Sequence, residues 1–554
     1  MKKVESGRFD ESIRPDLAAV DRPSAAIAHA VGPVRKVELP ERPAAALFDI
    51  VERWPQGEFV YVGADGRETV ETYRQVWNRA TQILAGLRAS GLQPGVPVIL
   101  QLAQSQDFTA AFWACLMGGF IAVPLGPRLE RLQHVLDRLP LAFILTDDSR
   151  VASIQTVLSL NEENKGEDDK GRDSSQERLR QCLLLIERLF SFGQATDFYK
   201  PARDELALYL SSSGTTGRAK LITFDAKTLS YRLLGNSIRL PEQSADQPPK
   251  VSLGWLPLSS ISGLRRVLPR SAKAIHLATE AVLENPTLWL DQVQKHRVTH
   301  AGVSNFFLAM LTEQLENGSQ RWDLSSLQRL TMGGETIVAK TVRRAIALLS
   351  NHQLSTDILY PVYGLSECGV IARAGDAPLR IAETADDACV KIGLPALNHA
   401  IRIVDSQNAV VTEGVIGHIQ AKGPTMTAGY LNSPDQNKAL FTEDGWLNTG
   451  DMGFLEAGCL AVTGREKDII IINALNIHSQ EIEAVVDQVS GVLSGYTAAC
   501  GVRQTDSDTD ELLICFHPDA FDPVHLAALI NEIRQQVAAQ LGVNPAYVVA
   551  LEKS

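Results

Sequence analysis

The sequence predicts a large α/β domain followed by a small α+β domain. In the first half, apolar strand-like segments alternate with helix-like segments, as in Val96–Leu102, Phe108–Met117 and Phe120–Pro124, and this order indicates a buried, mainly parallel sheet. Between Ile401 and Gly464 the strand-like segments are short and separated by turns, which predicts an antiparallel subdomain. Residues 466–554 return to mixed strands and helices, which predicts a separate small domain.

The composition indicates a globular protein that does not bind nucleic acid. The chain has 554 residues, too many for one ordinary core, with 45% hydrophobic and 21% charged residues. Its formal net charge is -12 and its basic residues are not concentrated, whereas a nucleic-acid surface needs a basic face. Any bound polyanion must therefore be held locally, by a loop or a few cations.

The cysteines and the apolar runs predict the compartment. The seven cysteines are scattered and form no CxxC pair, so neither a disulfide framework nor a zinc site is indicated. No run approaches the ~18 apolar residues of a membrane span, and the two N-terminal lysines have no apolar segment behind them. We expect a soluble, cytoplasmic protein without a signal peptide or a membrane partner.

The first elements follow from local signals. Residues 1–44 are polar and rich in proline and alanine, which predicts an extended lead-in with little structure of its own. Asp65-Gly66 between Glu58–Val62 and Glu68–Val70 predicts a hairpin. Thr72 is then expected to cap a helix, which Gly91 ends.

The remaining elements follow from the same periodicities. Residues 161–180 are too polar to bury apolar surface, so we expect a surface insertion or disordered loop; a partner-binding role is the alternative. Further strands are predicted at Ala142–Thr146, Val251–Leu258, Leu327–Met332, Ile469–Ile472 and Leu512–Phe516, and further helices at Thr228–Ile238, Asn305–Leu315, Ser479–Val489 and Leu526–Leu541.

A glycine- and hydroxyl-rich loop lies between two apolar runs, Leu206–Leu210 and Leu221–Phe224. Backbone N–H groups, hydroxyls and one ammonium could converge there on a polyanion, most plausibly a triphosphate, from Ser212, Ser213, Gly214, Thr215, Thr216, Gly217 and Lys220. A polar hairpin loop is the alternative, because turns use the same residues. The loop is not a Walker A motif, since Arg218 and Ala219 separate Gly217 from Lys220.

Four further stretches are suited to a nucleotide. Gly333-Gly334-Glu335 follows a strand, so its backbone can lie flat against a planar ring. YGLSE, Tyr363 to Glu367, offers an aromatic face, a hydroxyl and a carboxylate, which suit adenine, phosphate and Mg²⁺. TGD, Thr449 to Asp451, offers a carboxylate to ribose hydroxyls, and GREKD, Gly464 to Asp468, brings a guanidinium close by. Singly, each stretch is also typical of a turn.

Together and in this order, the motifs resemble the adenylate-forming superfamily: acyl-CoA synthetases, fatty acyl-AMP ligases, luciferases and the adenylation domains of nonribosomal peptide synthetases. The resemblance covers residues 45–550. DLSSLQRLTMGGE and HAGVSNF look closer to the fatty acyl-AMP ligases and to the loading domains of polyketide and peptide synthases than to amino-acid activators. The resemblance implies a large domain, residues 45–465, with two mainly parallel sheets, helices and an antiparallel subdomain. It also implies a small mobile domain, residues 466–554.

The resemblance also implies a two-step reaction and a set of site residues. A carboxylate attacks the α-phosphorus of ATP, and a thiol, usually the phosphopantetheine of a carrier protein, then opens the acyl-adenylate. The phosphate loop would bind the β- and γ-phosphates, Ser366 the α-phosphate and Glu367 a Mg²⁺ ion. Adenine would lie between Tyr363-Gly364 and Gly333 to Glu335, Asp451 would bind the ribose with Arg465 nearby, and Lys467 would be the hinge of the small domain. Lys220, Ser366, Glu367 and Arg465 would be the catalytic residues.

The sequence departs from the family at four places. Ala219 replaces a proline, which makes the phosphate loop less rigid. In WLPLSSISGL, Trp255 to Leu264, no carboxylate is available for a substrate ammonium, so a non-amino acid (acyl, aryl, hydroxy or keto) is favoured. Ala474 and Ser479 replace a glycine and a proline where pantetheine is expected to bind.

The fourth departure lies at the C-terminus. The family's last motif, which carries a lysine, should begin just beyond Ser554, and Lys553 is expected to be an ordinary surface lysine. We expect a segment of a longer polypeptide, truncated before that motif; naturally impaired adenylation is the alternative.

The leading hypothesis is ATP-dependent activation of a non-amino carboxylic acid and its transfer to a carrier protein, as a loading domain of a polyketide or nonribosomal peptide pathway. A free-standing acyl-CoA ligase and a non-catalytic nucleotide-binding scaffold are the alternatives. A P-loop kinase or ATPase is strongly disfavoured because the Gly-Lys-Ser/Thr ending is absent.

Overall fold

The computed structural model describes residues 26–36, 43–126, 129–156, 182–212, 220–234, 249–268, 271–335, 337–375, 377–381, 384, 389–465, 469–472, 475–493, 495–502, 511–541 and 543–552. Several predictions fall outside these ranges: the polar segment 161–180, the phosphate-loop residues 213–219, the hinge Lys467, and Ala474 and Lys553.

The strands are β1 His29–Val31, β2 Glu58–Val62, β3 Glu68–Thr72, β4 Pro97–Gln101, β5 Ile121–Pro124, β6 Phe143–Thr146, β7 Leu183–Leu185, β8 Leu206–Ser212, β9 Lys220–Asp225, β10 Val251–Gly254, β11 Lys273–Leu277, β12 His300–Val303, β13 Arg329–Met332, β14 Leu359–Leu365, β15 Gly369–Arg373, β16 Lys391–Pro395, β17 Ala400–Val404, β18 Gly417–Lys422, β19 Gly429–Tyr430, β20 Leu447–Glu456, β21 Cys459–Arg465, β22 Ile469–Ile472, β23 Leu475–His478, β24 Ala498–Val502, β25 Glu511–Phe516 and β26 Tyr547–Ala550.

The α-helices span Pro43–Arg53, Tyr73–Ala89, Ser105–Gly118, Glu130–Arg138, Ile186–Leu189, Ala226–Leu234, Ile261–Leu264, Thr279–Glu284, Thr287–His296, Asn305–Asn317, Ala339–Ser350, Pro434–Leu440, Ser479–Val486 and Pro523–Leu541. None of the helices in the described ranges combines the length and the apolar character that crossing a membrane requires.

Local sequence signals account for the start of the large domain. The hairpin β2–β3 forms as predicted, with Val60 opposite Val70. Thr72 then caps the helix Tyr73–Ala89: its Oγ1 accepts from the backbone N–H of Gln75 at 3.2 Å, and Gln75 Oε1 accepts from the backbone N–H of Thr72 at 2.7 Å. This reciprocal pair satisfies two N–H groups that a helix start leaves free.

In the described residues, one sheet of 14 strands has the order β1-β17-β18-β20-β21-β16-β15-β14-β13-β12-β10-β11-β2-β3. Strands β2 and β10 to β14 pair in parallel, as predicted from the alternation of strands and helices. Strands β17, β18, β20 and β21 form the antiparallel region predicted between Ile401 and Gly464, and β15 and β16, which precede the predicted region, extend it.

Strand β14 joins the two halves of this sheet. Leu359 to Pro361 pair in parallel with β13, whereas Val362 to Leu365 pair antiparallel with β15. The antiparallel region is therefore continuous with the parallel strands. The change of direction falls between Pro361 and Val362, just before the predicted YGLSE motif, which begins at Tyr363.

A second sheet has seven strands among the described residues, in the order β19-β9-β8-β5-β4-β6-β7. Helix Ser105–Gly118 contacts both sheets. It packs against β4 and β5, and the ring of Trp113 lies 6.3 Å from that of Phe59 in β2. Because both sides of this helix are covered by protein, every residue from Phe108 to Gly118 is buried.

The small C-terminal domain has its own core. Strands β22 and β23 form a hairpin, β24 to β26 form a three-stranded sheet, and the helices Ser479–Val486 and Pro523–Leu541 cover them. Ile482, Ile514 and Ile533 are fully buried in a cluster separate from that of the large domain. The predicted small α+β domain is thus present in the described residues, whereas its predicted start at residue 466 lies outside them.

Part of the predicted lead-in belongs to the large sheet. Strand β1 pairs antiparallel with β17, and Ala28 beside it is fully buried. The expectation of little structure is therefore wrong for residues 28–31. The local composition gives no sign of this strand because its partner, Ala400–Val404, lies in the distant antiparallel region.

Candidate active site

A cavity of about 1430 Å³ lies between the two sheets. The seven-stranded sheet contributes Ser211 and Lys220 from the ends of β8 and β9, and the large sheet contributes residues of β10, β12, β13, β14 and β20. Most of the predicted site residues that the structure describes line this one space: Lys220, Gly333, Gly334, Gly364, Ser366, Glu367, Asp451 and Arg465.

The phosphate loop begins and ends on the predicted hairpin. Ser212 is the last residue of β8 and pairs with Lys220, the first residue of β9. The two strands therefore fix both ends of the loop at the cavity. Of its predicted ligands, Ser213, Gly214, Thr215, Thr216 and Gly217 lie outside the described residues, so their role stays a prediction.

Lys220, Tyr430 and Glu367 form a connected group at this end of the cavity. Tyr430 donates a hydrogen bond of 2.8 Å to Glu367 Oε1, and Lys220 Nζ lies 4.7 Å from the centre of the Tyr430 ring. Burial, with the charge of Glu367, raises the pKa of Tyr430, so the phenol stays a donor. Tyr430 was not predicted as a site residue; it arrives through the pairing of β19 with β9.

Arg232 holds the turn that carries Ser366. This buried side chain donates from Nη1 to the carbonyl of Ser366 and from Nε to the carbonyl of Thr425, both at 2.7 Å. Its guanidinium lies 4.2 Å from the centre of the Phe224 ring. Burial lowers the pKa of Arg232 to about 10, so it remains charged at neutral pH. The only signal for Arg232 in the sequence is weak: a cation within the helix predicted at Thr228–Ile238.

Tyr363, Asp451 and Arg465 form a second connected group. Tyr363 donates to Asp451 Oδ2 at 2.6 Å, and Arg465 Nε lies 3.2 Å from Asp451 Oδ1. Asp451 and Arg465 are cross-strand partners in β20 and β21, which explains why TGD and GREKD lie side by side. Burial and the negative charge of Asp451 raise the pKa of Tyr363 well above its usual value.

The Gly333-Gly334-Glu335 segment follows β13, as predicted. A Cβ on Gly333 would lie 2.5 Å from the carbonyl oxygen of Val362, so only glycine fits beside β14. Gly334 has φ of +95° and open space where a Cβ would point. Glu335 Oε1 accepts from the backbone N–H of Phe306 at 2.6 Å, at the start of helix Asn305–Asn317. The adenine contact expected of this segment stays a prediction. The Glu335 carboxylate already accepts a hydrogen bond from the start of a helix.

The segment that departs from amino-acid activators forms another wall of the cavity. Ser260 begins the short helix Ile261–Leu264, and its Oγ accepts from the backbone N–H of Gly263 at 3.1 Å. Ser259, Ser260, Ile261 and Ser262 all line the cavity without contributing a carboxylate. Two cavity-lining arginines that the sequence did not single out, Arg265 and Arg266, follow directly.

The residues present fit ATP with one Mg²⁺ ion. The cavity is lined by the cations Lys220, Arg232 and Arg465 and by the carboxylate of Glu367. Among the residues that the structure describes, no group of three or more His, Cys, Asp or Glu side chains forms a metal cage. Mg²⁺ is usually bound by one or two carboxylates together with substrate phosphates, so a single glutamate suits it.

A cavity between two such sheets, lined by the strand ends that flank a hydroxyl- and glycine-rich loop and by residues of YGLSE and TGD, is typical of an adenylate-forming enzyme. The chain belongs to the AMP-binding enzyme family, whose family model matches residues 47–431. The resemblance stated from the motifs is thereby confirmed, as are the fold class and the acyl-AMP ligase class of enzyme.

Curated relatives include the nonribosomal peptide synthetase apvA of Aspergillus terreus, which is 27% identical over 533 residues, 92% of this chain and 55% of that protein. The atromentin synthetase invA5 of Paxillus involutus is 25% identical over 496 residues, 84% of this chain and 49% of that protein. The chain thus spans about half the length of the curated relatives it matches.

Two solved structures are also similar. The structure of McyG A-PCP complexed with phenylalanyl-adenylate is 30% identical with a TM-score of 0.84, over 95% of this chain and 82% of that chain. An adenylation, ketoreductase and pseudo Asub multidomain structure of a keto acid-selecting NRPS module is 28% identical, also at 0.84, over 100% of this chain and 49% of that chain. Fatty acyl-adenylate ligases from E. coli and L. pneumophila, 22% identical with a TM-score of 0.77 over 94% of this chain and 96% of that chain, share the fold.

Proposed function

We propose that the protein activates a non-amino carboxylic acid with ATP as an acyl-adenylate and passes the acyl group to the phosphopantetheine thiol of a carrier protein, as a loading adenylation domain of a polyketide or nonribosomal peptide pathway. The observation that carries this proposal is that Lys220, Glu367 and the Asp451–Arg465 pair line one cavity. These residues come from four separate motifs: the phosphate loop, YGLSE, TGD and GREKD.

In the first step, an oxygen of the substrate carboxylate attacks the α-phosphorus of ATP. The bond between this phosphorus and the bridging oxygen breaks, and pyrophosphate leaves. Because both reactants are anions, the site has to align them and neutralise charge. Lys220 with the loop from Ser212 to Gly217 is suited to the leaving pyrophosphate, and Ser366 and Glu367 to the α-phosphate and its Mg²⁺. Asp451 is suited to accept hydrogen bonds from the ribose, since Tyr363 and Arg465 orient it from two sides.

In the second step, the pantetheine sulfur attacks the acyl carbon, loses its proton, and AMP leaves. The A-PCP neighbour supports a carrier protein as the partner. The separate core of the small domain supports its movement between the two steps, with Lys467 as the hinge. The large and small domains touch through Phe306 and Tyr496, whose rings lie 6.1 Å apart.

The choice of a non-amino acid rests on the wall formed by Ser259, Ser260 and Ser262. An ammonium group beside it would lack a carboxylate partner, and a desolvated unpaired charge is costly. The similarity to a keto acid-selecting NRPS module agrees with this choice.

Pyrophosphate exchange tests the proposal. The protein is incubated with ATP, Mg²⁺, labelled pyrophosphate and single carboxylic acids, including the proteinogenic amino acids. We expect exchange with at least one non-amino acid, lowered on the order of 100-fold or more by Lys220→Ala, as for other charged transition-state donors. Lys340→Ala, an exposed residue at the start of another helix, is the matched control.

Each alternative has its own outcome. ATP binding without exchange for any acid would point to a nucleotide-binding scaffold. Exchange followed by a thioester on CoA but not on a phosphopantetheinylated carrier protein, read by mass spectrometry, would point to a free-standing acyl-CoA ligase. Exchange with amino acids alone would overturn the choice of substrate class.

A further inference from the structure

Two adjacent arginines lie next to the cavity wall formed by Ser259, Ser260 and Ser262. Arg265 and Arg266 follow the short helix Ile261–Leu264, line the cavity and are half-buried. Within the described part of the chain, neither forms an ion pair with a carboxylate. Among the described residues, the carboxylates that line the cavity are those of Glu367, Asp405 and Asp451. Glu367 and Asp405 follow the ends of β14 and β17, and Asp451 lies in β20.

Two glycines make room for the Arg266 side chain. A Cβ on Gly254 would lie 2.7 Å from Arg266 Nε, and a Cβ on Gly302 would lie 3.3 Å from its Nη2. These glycines are in β10 and β12, which are neighbours in the sheet. The guanidinium therefore lies over a part of the sheet that has no side chains of its own. Larger residues at these positions would displace it into the cavity.

The surroundings of Arg266 are strongly positive. Burial and the neighbouring Arg265 lower the pKa of Arg266 to about 10, so it is still charged at neutral pH. Burial and Arg266 lower the pKa of His276 to about 4, and burial and nearby cations lower that of His300 to about 3. The two histidines are thus neutral at neutral pH. The guanidinium groups of Arg265 and Arg266 are like charges held close together in a partly desolvated place. A bound anion would relieve this repulsion.

The sheet register gives the distance along the strands between Arg266 and the Gly333 segment. Gly302 lies opposite Thr331, and Gly333, at the nucleotide end of the cavity, follows two residues later. Two residues of a parallel strand rise about 6.6 Å. Arg266 therefore lies about 6.6 Å along the sheet from the Gly333 segment, so an acid that extends from the nucleotide site towards Arg266 need only be short.

We propose that the acid activated by this protein is a short dicarboxylic acid, whose second carboxylate is bound by Arg266 with help from Arg265. This inference rests on the proposed function. A guanidinium can hold a carboxylate through two parallel N–H···O bonds, a geometry that a neutral oxygen or an alkyl group does not complete. The second charge thus selects the substrate, while the first carboxylate reacts.

Matched acids test the proposal. Pyrophosphate exchange is measured with succinate and glutarate, their monomethyl esters, butyrate, valerate and 2-oxovalerate. We expect a dicarboxylate to have a KM at least tenfold below that of its ester. A preference for an ester, a plain monoacid or the 2-oxo monoacid would overturn the inference and leave the proposed function standing.

Binding separates the two proposals if no acid supports exchange. Thermal unfolding is then followed with a non-hydrolysable ATP analogue, with and without each dicarboxylate or ester. A rise in Tm with a dicarboxylate, but not with its ester, supports the second-carboxylate site although the proposed activity has failed. Equal shifts, or no shift with any of these acids, overturn the site as well.

Variants of the pocket assign the effect to Arg266. We expect Arg266→Met to raise the KM for the dicarboxylate at least tenfold, to leave the KM for ATP unchanged and to reverse the preference towards the ester. Arg344→Met, on an exposed helix face, is the control. Should Arg266→Met fail to fold, Gly254→Ala keeps the charge but displaces the guanidinium, and the same rise in KM is expected. An unchanged KM for the dicarboxylate in a folded variant would contradict the assignment.

Discussion

The hydroxyl of Tyr363 donates a hydrogen bond of 2.6 Å to Asp451 Oδ2. This bond ties β14, where the large sheet changes from parallel to antiparallel pairing, to β20, and the other carboxylate oxygen faces Arg465 at 3.2 Å. The side chain of Asp451 is 6% exposed, whereas that of Arg465 is 55% exposed. Of these two contacts, the one with the buried tyrosine is thus the better shielded from solvent.

Tyr363→Phe removes that donor and keeps the ring. We expect the KM for ATP to rise about three- to tenfold, and the free energy of unfolding to fall by roughly 1–2 kcal/mol, because a buried acceptor loses its partner. Steady-state kinetics and urea unfolding measure the two effects. Tyr547→Phe, in the last strand of the small domain, serves as the control; an unchanged KM in Tyr363→Phe would argue against Asp451 as a ribose ligand.

Glu367→Gln tests the metal role of the carboxylate. We expect kcat to fall about 100-fold or more, since the amide cannot offset the charge on Mg²⁺, and the Mg²⁺ concentration for half-maximal rate to rise. Tyr430→Phe removes the hydrogen bond to Glu367 but not the carboxylate, so a smaller change is expected. Mg²⁺ titrations of both variants and of the double variant separate the two contributions. A normal Mg²⁺ dependence in Glu367→Gln would place the metal elsewhere.

Arg232→Lys tests whether the turn at Ser366 needs a guanidinium. A lysine cannot reach both carbonyls in the fixed geometry of the arginine fork. We expect the protein to lose roughly 2–3 kcal/mol of stability and kcat to fall while the KM for the acid stays close to the wild-type value. Denaturant unfolding and kinetics at saturating acid give these quantities. Equal loss in exposed Arg344→Lys would show that the effect is not specific to the turn.

His276 predicts a dependence of stability on pH. Its pKa in the folded protein is lowered to about 4 by burial and by Arg266, against an ordinary value of 6.5. Below pH 6.5 the unfolded chain binds a proton that the folded protein does not, so stability is full above pH 6.5 and is lost as the pH falls towards 4. At about 1.4 kcal/mol for each pKa unit, the loss from His276 is on the order of 3 kcal/mol. We expect a shallower slope in His276→Gln than in the wild type, both measured by urea unfolding at each pH; equal slopes would contradict this assignment to His276.

The N-terminal strand predicts a difference between two deletions. Removing residues 1–25 leaves β1 in place, whereas removing residues 1–36 exposes the edge of β17 and loses the backbone hydrogen bonds between Ala28 and both Val411 and Ile403. We expect the longer deletion to cost roughly 2–4 kcal/mol more and to aggregate more readily, because an open strand edge can pair with another chain. Urea unfolding and light scattering compare the two. Equal stability would mean that β1 contributes little.

Local signals were sufficient for much of the fold and for the outline of the site. The Thr72 capping box, the hairpin at Asp65-Gly66 and the strands flanking the phosphate loop each depend on neighbours in the sequence. TGD and GREKD could each be recognised in the sequence, and the pairing of β20 with β21 places Asp451 opposite Arg465. These parts were predictable because the chemistry and the turn lie in one short segment.

The missed residues act across long separations. Arg232 and Ser366 are 134 positions apart, and Tyr430 and Glu367 are 63 positions apart. Arg266 is a cavity residue only because Gly254 and Gly302 lie beneath it in neighbouring strands. No periodicity or motif reports such contacts, since they depend on which strands become neighbours.

Arg465 is also the last described residue of the large domain before the chain continues to β22. The residue that faces the carboxylate proposed to grip the ribose is thus two positions from the proposed hinge, Lys467. On the proposed function, binding and release of the nucleotide would therefore act directly on the chain segment that leads into the small domain. The nucleotide site and the proposed hinge would then be coupled through neighbouring residues of one chain segment, without a separate relay.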